Sequence, residues 1–182
     1  MFHTTSKKQL ILVRHAQAID ASEFEGSDFE RPLTSQGRKH STIIARYLRL
    51  IGIRPDTIIS SSAIRTRETA GIISTEFNID GVELVDDLYF GNNPKKRDGN
   101  QSYLRSIHTT SKDTEILMLV GHNDEITEFA RYLSGEGMPS MKKGSIAVFS
   151  LPSKTKWKDI EPGELTLLYY LTPQFLQLES LI

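Results

Sequence analysis

The chain has 182 residues, a quarter of them charged, a formal net charge of −1 and no cysteine. This length suits one domain over residues 1–182 with a full core and is short for two. A balanced charge implies no general attraction to nucleic acid or to an anionic membrane, so any electropositive site has to be local. The lack of cysteine removes disulfides, thiolate nucleophiles and cysteine-based metal sites.

Lys7 and Lys8 precede an apolar run of only Leu10, Ile11, Leu12 and Val13. That is far short of a signal-peptide core or a membrane span, so a soluble, cytoplasmic protein is expected. The run is short and partly β-branched, the pattern of a strand covered on both faces in a parallel sheet, and Arg14 and His15 follow it directly. A polar stretch over residues 20–30 leads to Arg31, Pro32, Leu33 and Thr34. Thr34 or Ser35 can cap a helix whose Ile43, Ile44, Tyr47, Leu48 and Ile51 recur every three and four residues, and Gly52 ends it. Thr57, Ile58 and Ile59 form a strand, followed by the turn Ser60, Ser61, Ser62 and a helix through Ile72, Ile73 and Phe77. Residues 82–85 read as a short, acidic third strand. Residues 86–101 carry loop chemistry, with Gly91, Asn92, Asn93, Pro94 and Gly99 among them.

A helix through Tyr103, Leu104 and Ile107 precedes a second fully apolar strand, residues 116–120, which ends in Gly121 and His122. Asn123 can cap the next helix, whose Ile126, Phe129, Ala130 and Leu133 share a face. Strand-like runs over residues 146–151 and 165–171 are joined by the turn-rich 152–163 and are expected to pair as a hairpin. The apolar tail of Phe175, Leu176, Leu178, Leu181 and Ile182 is expected to pack on the body. Strands alternating with helices predict an α/β fold, a three-layer α/β/α sandwich whose mostly parallel sheet holds one antiparallel strand.

Two strands that each deliver a histidine at the carboxyl end suggest one reaction centre, because ligands of such sheets bind beyond those ends. A neutral imidazole is a nucleophile, and a guanidinium is a permanent cation whose planar fork suits phosphate oxygens. Clustered arginines disfavour the imidazolium and so help keep His15 nucleophilic. Arg65, at the turn entering a helix, meets the positive end of the helix dipole, an unfavourable contact that a bound anion reverses. From the residues alone, a solvent-facing Arg65 or a pairing with Glu68 or Thr69 one turn on remains open.

Arg14 and His15 after a first strand resemble a known family in combination with two later motifs. These are Ser61, Ser62 and Arg65 running on to Thr69 and Ala70, and Gly121, His122 and Asn123 after a later strand. In this order and spacing they resemble the histidine phosphatase superfamily, with its phosphoglycerate-mutase-like fold. The short length and the segment Arg31, Pro32, Leu33, Thr34 to Gly37 look like the bacterial SixA-like phosphohistidine phosphatases. The resemblance implies that His15 attacks phosphorus in line and carries a phosphohistidine intermediate. It also implies that Arg14, Arg65 and His122 contact the equatorial oxygens, with His122 acting as an imidazolium. Arg31 is a further substrate-binding candidate. No cofactor and no metal are implied. The expected substrate is phosphohistidine in a signalling protein or a small phosphate compound.

The chain departs from the family in Ala16, where a glycine is usual and a methyl group is expected to crowd the phosphate loop slightly. Gln17 fits the next position loosely. Glu83, Asp86 and Asp87 lie near the segment where many relatives place a general acid, but they form no acid motif and read as surface carboxylates. An alkoxide leaving group needs such an acid, commonly worth about two to four powers of ten in rate. Its absence therefore tilts the reading toward the more labile phosphohistidine.

Other readings are a non-catalytic phosphate-binding module, a phosphoglycerate-mutase-type phosphotransferase and a metallohydrolase. The last is disfavoured because His3, His15, His40, His108 and His122 show no pair at ligand spacing. Lys95, Lys96 and Arg97 are either a docking site for an acidic phosphoprotein or a solvated loop. Nucleic acid and membrane are not expected partners.

Overall fold

A computed structural model describes residues 8–91, 99–135 and 137–179 of the chain. The strands are β1 (Gln9–Arg14), β2 (Thr57–Ser61), β3 (Glu83–Val85), β4 (Ile116–Gly121), β5 (Ile146–Ser150) and β6 (Thr166–Leu171). They form one sheet in the order β3-β2-β4-β1-β5-β6. β3, β2, β4 and β1 run parallel, whereas β5 is antiparallel to both β1 and β6. The sheet is therefore mostly parallel with β5 as its antiparallel strand, and β5 and β6 pair as the hairpin expected from their short connection.

The helices are α1 (Ser35–Leu50), α2 (Ile64–Phe77), α3 (Gly99–His108), α4 (Glu125–Ser134) and α5 (Pro173–Glu179). Strand side chains alternate between faces, so the continuous apolar runs of β1, β4 and β5 feed two cores at once. Leu10, Leu12, Leu117, Leu119, Ala147 and Phe149 pack with Tyr103, Ile107, Ile126 and Phe129 of α3 and α4. Ile11, Val13, Met118, Val120, Ile146 and Val148 pack with Ile44, Leu48, Ile73 and Leu176 of α1, α2 and α5. This is the three-layer sandwich. Burial of Leu176 shows the start of the terminal segment packing on the body, while Phe175 remains 52% exposed. Leu178, Leu181 and Ile182 lie outside the side chains described.

The elements differ from the sequence reading in detail. Thr34, not Ser35, is the cap of α1, and its hydroxyl accepts the Gly37 N–H at 3.0 Å. β3 is a three-residue edge strand with Glu83 and Leu84 exposed, because only β2 lies beside it. α4 begins after Asp124, one residue later than an Asn123 cap requires. β4 continues to Gly121, leaving the Asn123 amide to accept from the Thr127 hydroxyl at 2.5 Å and to donate to Ser140 Oγ at 3.1 Å. The turn-rich 152–163 contributes Trp157 to the core, where its indole N–H donates to the Thr114 carbonyl at 2.8 Å.

Candidate active site

Parallel pairing sets β1 and β4 in register, Arg14 opposite Gly121, so both strands end at the same level. The His15 N–H donates to the Gly121 carbonyl at 3.0 Å, and the Gly144 N–H reaches the His15 carbonyl at 3.0 Å. Held in this way, the His15 and His122 rings lie 5.3 Å apart at their centroids, 58° between planes. Gly121 has to lack a side chain, because a Cβ there would fall 1.8 Å from the Tyr103 hydroxyl. The two histidines line a pocket of about 440 Å³ together with Arg14, Arg31 and Arg65. Structure therefore brings all five sequence candidates to one place.

His15 is 8% exposed, and its Nδ1 lies 2.7 Å from the Ala16 carbonyl. A carbonyl can only accept, so Nδ1 carries the proton of the neutral ring and the Nε2 lone pair is left for chemistry. Burial, reinforced by the charges of Arg65, Arg14 and Arg31, brings the His15 pKa down to about 3 despite the opposing Ala16 bond. Burial also takes His122 well below the ordinary histidine value, with His15 and Arg65 adding to the effect and Asp28 opposing it. The imidazolium expected at His122 thus differs from the electrostatics of the site as it stands, where both rings are neutral. His122 Nε2 lies 2.9 Å from Ser61 Oγ. When that hydroxyl donates, Nδ1 carries the ring proton and is free to donate to a phosphoryl oxygen.

Arg14 Nη1 donates to the Met141 carbonyl at 2.6 Å. Arg65 is 5% exposed, so it neither points into solvent nor pairs with Glu68, which instead receives the Leu33 N–H and the Arg38 guanidinium. Its Nη2 and Nη1 donate to Asp28 Oδ2 at 2.9 Å and to the Asp28 carbonyl at 2.5 Å. Among the described residues, Arg14 Nε, Arg65 Nε and His122 Nδ1 are buried without a protein partner. Three donors left over around a neutral imidazole suit the oxygens of a tetrahedral anion.

The loop after His15 is tied to α2 by the Ala16 N–H, which donates to Thr69 Oγ1 at 3.1 Å. Ala16 is fully buried near Gly144 and is not part of the pocket wall, so its methyl does not crowd the anion position. Gly37 of α1 packs on the same loop so closely that a Cβ would sit 2.1 Å from the Gln17 carbonyl oxygen. Arg31 reaches the pocket, but its guanidinium is engaged by Asp28 and by the Ile19 carbonyl.

Three contributors were missed from sequence. Asp28 joins the arginines, a pairing hinted at only by its position three residues before Arg31. Tyr89 donates to Asp28 Oδ2 at 3.0 Å and lies edge-on to His122 at 5.5 Å. Glu125 lines the pocket, and burial, with Asp124 adding to it, raises its carboxyl above the ordinary range against the pull of its own backbone amide. Its one sequence signal is its place three residues after His122. Glu83, Asp86 and Asp87 stand away from the pocket wall, as expected of surface carboxylates. Among the described residues no group of three or more His, Cys, Asp or Glu is arranged to hold a metal ion. No helix among them is long and apolar enough to cross a membrane. Lys95, Lys96 and Arg97 lie outside the described residues.

Comparison with known proteins supports the same fold. The family model of the histidine phosphatase superfamily, branch 1, matches residues 10–91. The chain is similar to the mitochondrial serine/threonine-protein phosphatase Pgam5 of Drosophila ananassae, 26% identical over 187 residues, 90% of this chain and 62% of that protein. It is also similar to an uncharacterized chloroplastic protein of Arabidopsis thaliana, 31% identical over 140 residues, 72% of this chain and 62% of that protein. The chain thus spans 62% of the length of these curated relatives. Among solved structures it resembles a chain from Agrobacterium tumefaciens assigned as the phosphohistidine phosphatase SixA. The TM-score is 0.73 at 27% identity, covering 91% of this chain and 99% of that one. The sheet and helices are those of the phosphoglycerate-mutase-like fold.

Proposed function

We propose that this chain, which belongs to the histidine phosphatase superfamily, is a phosphatase that hydrolyses phosphohistidine or a small phosphate compound through a phosphohistidine on His15. The observation that carries this reading is the state of His15: a neutral ring, its Nδ1 proton tied to the Ala16 carbonyl, among Arg14, Arg31 and Arg65 in one pocket. The Nε2 lone pair attacks phosphorus as the bond to the leaving group breaks, and the leaving nitrogen of a phosphohistidine takes up a proton. Water then attacks the phosphohistidine, releasing inorganic phosphate and restoring His15. Arg14, Arg65 and His122 donate to the equatorial oxygens, where charge gathers in a loose transition state. Arg31 is assigned to substrate binding through its place on the pocket wall.

Turnover on a phosphohistidine protein, a phosphoserine peptide and a panel of sugar and glycerate phosphates tests the substrate. Rapid-quench trapping of acid-labile, base-stable phosphate on His15 tests the intermediate. Phosphate binding with neither turnover nor trapped intermediate would instead mark a non-catalytic binding module. Transfer to added phosphoglycerate would mark a mutase.

Glu125 favours a second reading, hydrolysis of phosphate esters. A carboxyl with a raised pKa in the pocket can keep its proton for an alkoxide leaving group, which an imidazole needs less. The Pgam5 relative is described as a serine/threonine-protein phosphatase, consistent with ester substrates in this superfamily. Glu125→Gln is expected to slow phosphoserine hydrolysis by about a hundredfold and to spare phosphohistidine hydrolysis. Equal effects on both substrates would remove Glu125 from the role. The same proposal takes residues 1–182 as one domain in the cytoplasm, acting without cofactor or metal on a phosphorylated small molecule or signalling protein.

A further inference from the structure

Asp28 is the most heavily engaged acidic group in the pocket. Its Oδ1 accepts Arg31 Nε at 2.8 Å and Nη2 at 2.6 Å. Its Oδ2 accepts Arg65 Nη2 at 2.9 Å and the Tyr89 hydroxyl at 3.0 Å, and its backbone carbonyl accepts Arg65 Nη1 at 2.5 Å. The Arg65 guanidinium stands 5.8 Å from the Tyr89 ring centroid, and that ring packs edge-on to His122. One carboxylate therefore joins two guanidiniums that would otherwise repel each other, and the carboxylate and backbone carbonyl of Asp28 together take both Nη ends of Arg65 while Nε stays without a protein partner.

This arrangement affects binding and catalysis in opposite directions. The pocket wall carries three guanidiniums, one ammonium and three carboxyls, so with every carboxyl ionised, loss of Asp28 would raise its formal charge from +1 to +2. A more positive pocket binds a ground-state anion more tightly. Acceleration depends on holding donors where charge develops in the transition state, and a guanidinium on an unrestrained side chain gives that up.

We propose that Asp28 is a positioning residue: it holds Arg65 and Arg31 in one fixed clamp beside His15 and, by lowering the pocket's positive charge, sacrifices ground-state anion affinity for turnover. The proposal rests on the phosphatase reading for its kinetic half, and its binding half stands without turnover.

The test measures the dissociation constant for inorganic phosphate by calorimetry, together with kcat on the best phosphoryl substrate, in the wild type, Asp28→Asn and Asp28→Glu. Asp28→Asn is expected to bind phosphate about threefold to tenfold more tightly while kcat falls about tenfold to a hundredfold. Asp28→Glu, which keeps the charge, is expected to stay within about twofold of wild-type phosphate affinity and to recover part of kcat. Asp28→Ser serves as the neutral variant if the Asn protein does not fold. Phosphate binding by the neutral variant that is unchanged or weaker than wild type would overturn the proposal, as would a tightening equally produced by Asp28→Glu. Wild-type protein that binds phosphate but turns over no phosphoryl substrate would refute the phosphatase reading alone, leaving the affinity comparison to decide the role of Asp28.

Discussion

His15 and His122 are buried, neutral imidazoles, and that state has consequences for both reaction and stability. His15→Ala removes the proposed nucleophile and is expected to abolish turnover, by at least about a thousandfold, with no phosphate trapped on the protein. Normal turnover by the purified variant would refute the covalent route. Burial has a thermodynamic signature as well. The folded His15 pKa of about 3 lies below its ordinary value of 6.5, so between those pH values the unfolded chain binds the extra proton. The stability associated with this neutral ring is complete above about pH 6.5 and is lost as the pH falls toward 3. Asp28 acts in the same direction but lower. Burial raises it, but Arg31, Arg65 and Tyr89 outweigh that and bring it to about 2. Its contribution is thus present above the ordinary carboxyl value of 3.8 and disappears as the pH falls through about 2. Urea unfolding from pH 7 to pH 4 is expected to show a steady loss of stability that is shallower in His15→Gln, and equal slopes would contradict the buried neutral state.

At the level of elements, the site depends on how α1 docks against the loop that follows His15. The Thr34 hydroxyl caps α1 through the Gly37 N–H, and the Thr34 N–H donates to the Gln17 carbonyl at 2.9 Å. Gly37 then brings the helix backbone against Gln17 with no room for a methyl group. Thr34→Ala is expected to cost about 1 kcal/mol, the usual worth of such a cap. Gly37→Ala is expected to cost about 3 kcal/mol, at the upper end of overpacking, because the clash is with backbone and not with a side chain that can turn away. Denaturant unfolding measures both, and a Gly37→Ala protein as stable as Thr34→Ala would show that the loop yields easily. The expected difference follows from packing and not from helix propensity, which by itself favours alanine over glycine.

For the whole molecule, a net charge of −1 coexists with a pocket whose wall is locally positive. Anion binding is therefore expected at this one place and to stabilise the entire fold, since β1, β4, α2 and the loop carrying Asp28 all meet there. A ligand at one hundred times its dissociation constant contributes about 2.7 kcal/mol to a folded protein. For a chain of this size that corresponds to a rise in Tm of about 5–10 °C. Vanadate or inorganic phosphate is expected to produce that shift in the wild type and a smaller one in Arg14→Ala. Equal shifts would place the anion elsewhere. Chelators are expected to change neither Tm nor turnover, and activity lost on metal removal and restored by one metal would require a different chemistry.

Sequence by itself determined the strands of β1, β4 and β5, the helices between them, and the placement of Arg14, His15 and His122 at strand ends. Those features follow from local periodicity and from short-range neighbours, which any stretch of chain carries within itself. The same local information located the cap at Thr34 only to within one residue and placed the start of α4 a residue early, because element ends are set by neighbours in space. Tertiary structure alone decided that Arg65 turns inward, since its partner Asp28 lies 37 residues away. It decided that Ala16 lies outside the pocket wall, that burial raises the Glu125 carboxyl above its ordinary range, and that Arg31 is clamped and not free. Burial and the distances between charges far apart in the chain exist only once the layers have packed, and they determine the protonation states on which the proposed chemistry depends.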